Sequence, residues 1–160
     1  MQQPNAFKVL KVLHTALLMG MILFSVIALV LVQRNLVPAK GETLERSLQV
    51  VCILVSGVML LGGFNIFKKK MMAARNDTGS GEQRMDLYRA ACILWWAMIE
   101  GPGLLATVGY ILTHNLAFLA LAVFHITCLF VFSPRKANIV VLLNLTPAEV
   151  ARLDGSAARK

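Results

Sequence analysis

The sequence predicts an all-α fold, an integral membrane bundle of four transmembrane helices, on three observations. Four apolar blocks occupy roughly residues 9–32, 47–67, 88–112 and 115–132. Each is about 18–25 residues long, near the ~20 that a helix needs to cross a ~30 Å hydrocarbon core. Positive charge gathers at alternate ends of these blocks. Across all 160 residues, 58% are hydrophobic and the mean hydropathy is +0.69, above the roughly 45–50% apolar content of soluble domains. A soluble bundle would need polar helix faces, and these blocks are apolar nearly all round. In hydrocarbon only a helix satisfies its own backbone groups within a single segment.

The first block follows Lys8 and Lys11, which can snorkel to an interface, and His14 is expected to lie beside them there. Val37-Pro38-Ala39 resembles a signal-peptidase site, but the apolar stretch is longer than a signal core of about 7–15 residues, so an uncleaved anchor is expected. The loop QRNLVPAKGETLER leads to the second block. There Arg34, Lys40 and Arg46 are offset by Glu42 and Glu45. Lys68, Lys69, Lys70, Arg75, Arg84 and Arg89 lie between the second and third blocks, around a polar linker centred on Gly79-Ser80-Gly81. A tight turn at Thr113-His114-Asn115 joins the third block to the fourth and carries no Lys or Arg. Arg135, Lys136, Arg152, Arg159 and Lys160 follow the fourth. The positive-inside rule then places both termini and the middle loop in the cytoplasm, with a bacterial inner membrane as the expected location.

The chain divides into a membrane domain over 1–133 and a cytoplasmic or interfacial tail over 134–160. In the tail, Ser133-Pro134 reads as a cap followed by a first-turn proline. Thr146-Pro147-Ala148-Glu149 reads as a capping box, with Leu145 and Val150 as a hydrophobic staple, opening a helix over 147–153 that ends near Gly155. ANIVVLLNL is too apolar for open water and is expected to dock at the interface or on the bundle. The two hairpins can be read as a repeat. Residues 16–31 overlay residues 97–112, matching Ala16 to Ala97, Gly20 to Gly101, Leu23 to Leu104 and Leu31 to Leu112. Apolar spans also align by chance, so both readings stand.

Glu100 carries the functional signal. It is the one acid or base inside ILWWAMIEGPGLLATVGYIL, and an ionisable group at bilayer depth is by default a functional candidate. Pro102 lacks the N–H that would bond the Met98 carbonyl, so a kink is expected just beyond the carboxyl group. Helical spacing sets Trp96, Glu100, Gly103, Thr107, Tyr110 and His114 on one side. That stripe reads either as a proton or ion route or as a packing seam of small and hydroxylated residues. Glu100 lies 14 positions before His114 and His125 lies 11 after it, which brings the two within about one turn in depth. Burial disfavours the carboxylate and a neighbouring imidazolium favours it, so the two would form a titratable pair. His125 bonding a backbone carbonyl is the alternative.

The candidate residues are therefore Glu100, Pro102, His125, Thr107 and Tyr110. No catalytic residue, metal ligand set or cofactor motif is read. Cys52, Cys92 and Cys128 form no CxxC pattern and read as packing residues. His14 and His125 are unmatched in depth, which disfavours haem. The net charge of +8 points to anionic lipid headgroups and not to nucleic acid. The expected partners are membrane lipids and either further copies of the chain or a partner membrane subunit.

Four spans and one intramembrane carboxylate resemble the proteolipid subunits of rotary ATPases. Glu100, with Ala97, Gly101 and Gly103 around it and Met19 where a second carboxylate would stand, carries the likeness. It implies a ring subunit that moves protons on Glu100. The chain departs from that family in having Gly20 as the sole glycine of span one, and in carrying its carboxylate on the first helix of a hairpin. Its basic linker and ordered tail depart as well. The overall pattern is also similar to that of small bacterial four-helix membrane proteins. Two functions are carried forward: proton- or ion-linked membrane activity centred on Glu100, and a non-catalytic accessory or assembly subunit. A membrane enzyme ranks behind both, because no nucleophile–base grouping is visible.

Overall fold

A computed structural model describes residues 5–39 and 41–155. Lys40, Arg159 and Lys160, counted in the charge pattern, lie outside the described residues. The described chain is all-α, with six helices and no strand. They are α1 (Ala6–Gln33), α2 (Glu42–Asn76), α3 (Gly81–Thr113), α4 (Leu116–Val131), α5 (Lys136–Leu142) and α6 (Pro147–Leu153).

Three helices, α1 to α3, are long and apolar enough to cross a membrane. The best 18-residue windows of these three reach mean hydropathies of 2.7, 2.3 and 1.4. The third is the least apolar and the most buried, which is the mark of a helix enclosed by its neighbours. A fourth span is reached if α4 and α5 count as one, and these two are bent by 65°. At about 1.5 Å per residue, α4 alone is about 24 Å long. Exposed apolar residues cover the outside, among them Leu23, Val58, Leu61 and Phe130, each at least 60% exposed. A water-facing surface rarely carries so much apolar area, whereas lipid accepts it.

α3 is the hub. It packs on α1, α2, α4 and α6, and α1 also packs on α4. Glycines set the close approaches. A Cβ at Gly103 would run into Met21 and lie 2.9 Å from the Cβ of His125. At Gly109 it would meet the Phe118 ring at 2.6 Å, and at Gly63 it would meet Met98 and Trp95 at 2.9–3.0 Å.

The polar linker is shorter than the sequence pattern implies. α2 continues through Lys68–Lys70 to Asn76 and α3 begins at Gly81. The extra turns pack Met71, Ala74, Met85 and Tyr88 into the core between the two helices. Burial there outweighs the polar composition. The link itself is built from local bonds: Asp77 accepts from the Gly79 amide at 2.8 Å, and Ser80 caps Gln83 at 3.2 Å. The turn at 113–115 forms as its sequence implies. His114 takes the left-handed conformation and Asn115 caps α4 by accepting from Ala117 at 2.8 Å.

Ser133-Pro134 does not open a helix. α5 starts two residues later with Arg135 at its N-cap. The chain turns there and docks α5 through Ile139 and Leu143. α6 carries the capping box in full, Thr146 with Glu149, and both staple residues, Leu145 and Val150, join the same core.

Ionic contacts clasp the tail. Arg84 donates to the Leu143 carbonyl at 2.5 Å, the Asn144 carbonyl at 3.1 Å and the Glu149 carboxylate at 2.6 Å. Asn5 donates to Asp154, which also pairs with Lys136. The Thr146 backbone amide, helped by the Thr146 hydroxyl and Arg84, holds the Glu149 carboxyl down to about 2.

Two predictions follow from these contacts. Glu149 binds its proton less readily when folded, so its contribution is complete above the unfolded value of about 4.3. That contribution fades as pH falls towards about 2. Proteolysis within 136–155 should therefore accelerate across that window, and Glu149→Gln should raise cleavage at neutral pH and flatten the dependence. Separately, Gly103→Ala should lower stability in detergent by about 1–3 kcal/mol through overpacking. Gly101→Ala, where a Cβ meets nothing within 4 Å, should not. Thermal unfolding followed by circular dichroism separates the two.

Candidate functional site

Glu100 sits mid-way along α3, where its neighbours fall on two sides. Trp96, Gly103 and Thr107 are buried, while Ile93, Ala97, Gly101 and Val108 are exposed. Glu100 lies on the boundary and is half-buried. Among the described residues, no hydrogen bond or ion pair reaches its carboxyl group. α3 runs unbroken past Pro102, which is buried. The missing proline N–H still leaves the Met98 carbonyl without its usual donor, one turn before the ring.

The stripe inferred from helical spacing is mostly interior. Thr107 donates to the Gly103 carbonyl at 3.0 Å, which leaves the Ser25 hydroxyl to donate to Thr107 at 3.3 Å. Tyr110 is buried in a separate apolar cluster with Ala28, Cys52 and Phe118. No chain of hydrogen bonds runs from Glu100 to Thr107 or Tyr110 among the described residues.

His125 is fully buried, packed beside Gly103, and its Nε2 bonds Ser56 Oγ at 3.0 Å. Nδ1 has no partner of hydrogen-bond geometry, although the Ile99 carbonyl interacts with the ring. Glu100 and His125 are thus on neighbouring helices without being joined. Depth was readable from the sequence, but the rotation of each helix about its axis was not. Ser56 was the partner that sequence reasoning missed. It is a hydroxyl in the middle of an apolar span, and that was the available signal.

His14 turns into the bundle: it is buried, donates from Nε2 to the Leu129 carbonyl at 2.9 Å, and meets Trp96 edge-on at 4.9 Å. That carbonyl lies near the C-terminal end of α4, where the helix stops supplying amide partners.

An apolar cavity of ≈ 250 Å³ between α2 and α4 is lined by Gln49, Cys52, Ile53, Ala117, Phe118 and Leu121, away from Glu100. Among the described residues, no three His, Cys, Asp or Glu side chains group as a metal site. All three cysteines are free.

No protein-family model, curated protein or solved structure matches this chain. The site therefore rests on its own geometry.

Removing the Ser56 hydroxyl strands a buried imidazole nitrogen. Ser56→Ala should destabilise the protein by about 1–3 kcal/mol, read as a lower midpoint of thermal unfolding in detergent. Glu100→Gln should leave that midpoint nearly unchanged, since no internal bond is broken.

Proposed function

We propose that this is a small four-span integral membrane protein whose proton- or ion-linked activity centres on Glu100. Both termini and the α2–α3 turn face the cytoplasm in this reading, as the distribution of Lys and Arg favours. The observation that carries it is the carboxyl group itself. It stands within a membrane-length helix, half-buried, with no hydrogen bond or ion pair among the described residues. Ionised carboxyl groups are disfavoured in hydrocarbon unless paired. Glu100 can therefore hold a proton there and release it where water or a cation reaches it. Its place on the rim of α3 presents it outwards, which suits exchange with something outside this chain. That is also what the proteolipid resemblance implies, with further copies forming the ring. The likeness of the two hairpins belongs to the same proposal.

A second reading is favoured by one observation. Ala97 and Gly101 are exposed beside Glu100, and a Cβ at Gly101 meets nothing. Small residues let a partner helix approach closely, and its donor could satisfy the carboxylate. The protein would then be an accessory or assembly subunit without flux of its own.

Proton flux into liposomes under an imposed pH gradient tests the first reading. Wild-type protein should carry flux, and Glu100→Gln should abolish it while the variant stays folded. Folded wild-type protein with no flux would overturn autonomous transport. Loss of a co-purifying membrane partner in Glu100→Gln would then favour the accessory reading.

A further inference from the structure

The outer face of α1 carries a groove unrelated to Glu100. It has a volume of ≈ 550 Å³ and is lined by Lys8, Lys11, Val12, Thr15, Ala16 and Met19. All six of these side chains are exposed. Lys8 and Lys11 are three residues apart and so share one helix face. The first turn of α1 has no acidic residue, and neither lysine makes an ion pair among the described residues. Asp154, the acid that reaches this end of α1 through Asn5, is already paired with Lys136. The mouth of the groove is thus an uncompensated pair of positive charges.

Below the charges the chemistry changes in steps. Thr15 lies about 6 Å deeper than Lys11 along the axis, and its hydroxyl makes no hydrogen bond among the described residues. Ala16 and Met19 lie deeper still and are apolar, Met19 being 56% exposed, while Val12, 60% exposed, lines the groove at the level of Lys11. Two cations, then a free hydroxyl, then an apolar strip match the order of groups down a phospholipid: phosphate, glycerol ester, acyl chain. A free phosphate would engage the lysines and leave the strip untouched.

We propose that this face of α1 binds one anionic glycerophospholipid. Lys8 and Lys11 hold the phosphate, Thr15 donates to an ester oxygen, and the acyl chain lies along Ala16 and Met19. Since the lysines mark the membrane boundary, such a lipid would also fix the depth of α1.

The test is native mass spectrometry of the full-length protein in detergent micelles, with phosphatidylglycerol or phosphatidylcholine of the same acyl chains added. Phosphatidylglycerol should be retained in preference. Each lysine near an anionic group is worth about fivefold, so the Lys8→Gln/Lys11→Gln variant should lose about 30-fold in apparent affinity. Thr15→Val should lose less, and so should Lys69→Gln/Lys70→Gln, on α2. Equal retention of the two lipids, an unchanged affinity in the Lys8/Lys11 variant, or an equal loss in the Lys69/Lys70 variant would each overturn the proposal. Full displacement of the lipid by inorganic phosphate would overturn it too, because that marks a bare anion site. None of these outcomes depends on Glu100.

Discussion

The close approach of α3 to its neighbours is the interaction on which the rest of the structure depends. Between apolar helices in lipid there is little hydrophobic drive, so association relies on packing and on hydrogen bonds. Gly63, Gly103 and Gly109 open notches that Met98, Trp95, Met21, His125 and Phe118 fill. Those contacts fix how α1, α2 and α4 sit on α3. They also fix the rotation of α3, and with it the fate of every polar residue along the third span.

That rotation separates structural polarity from spare polarity. Thr107, Ser25, His14, His125 and Ser56 turn inwards and find hydroxyl or carbonyl partners. The Ser25–Thr107, His14–Leu129 and His125–Ser56 contacts act as interhelical bonds, each modest in worth, about 0.6 kcal/mol on average for such contacts in membranes. Glu100 lies at the rim, and among the described residues no hydrogen bond or ion pair reaches its carboxyl group. Its place at that boundary follows from the burial of Trp96, Gly103 and Thr107 on the same helix.

At the end where the tail docks, ionic contacts add to the packing of Ile139, Leu143, Leu145 and Leu153. Arg84 gathers two carbonyls and a carboxylate from the tail, and Asp154 joins Asn5 to Lys136. Lys136 also lies 5.4 Å over the ring of Phe7. The start of α1, the start of α3 and the tail thus form one connected end. Lys8 and Lys11 remain outside that network, so their charge stays available to the surface.

Local signals in the sequence determined the helices, the turn at 113–115, the capping box of α6 and the singularity of Glu100. Each of these depends on residues within a few positions of one another, as caps, turns and hydropathy do. Only the tertiary structure decided that α2 and α3 extend through the charged linker, that His14 is buried, and that His125 bonds Ser56 and not Glu100. It also decided that Glu100 lies on the boundary between the buried and exposed faces of α3. The physical reason is the near-uniform apolarity of the spans. A helix that is apolar on every side carries little information about which side its neighbours will cover, so rotation and partner choice are settled when the glycine notches of α3 are filled.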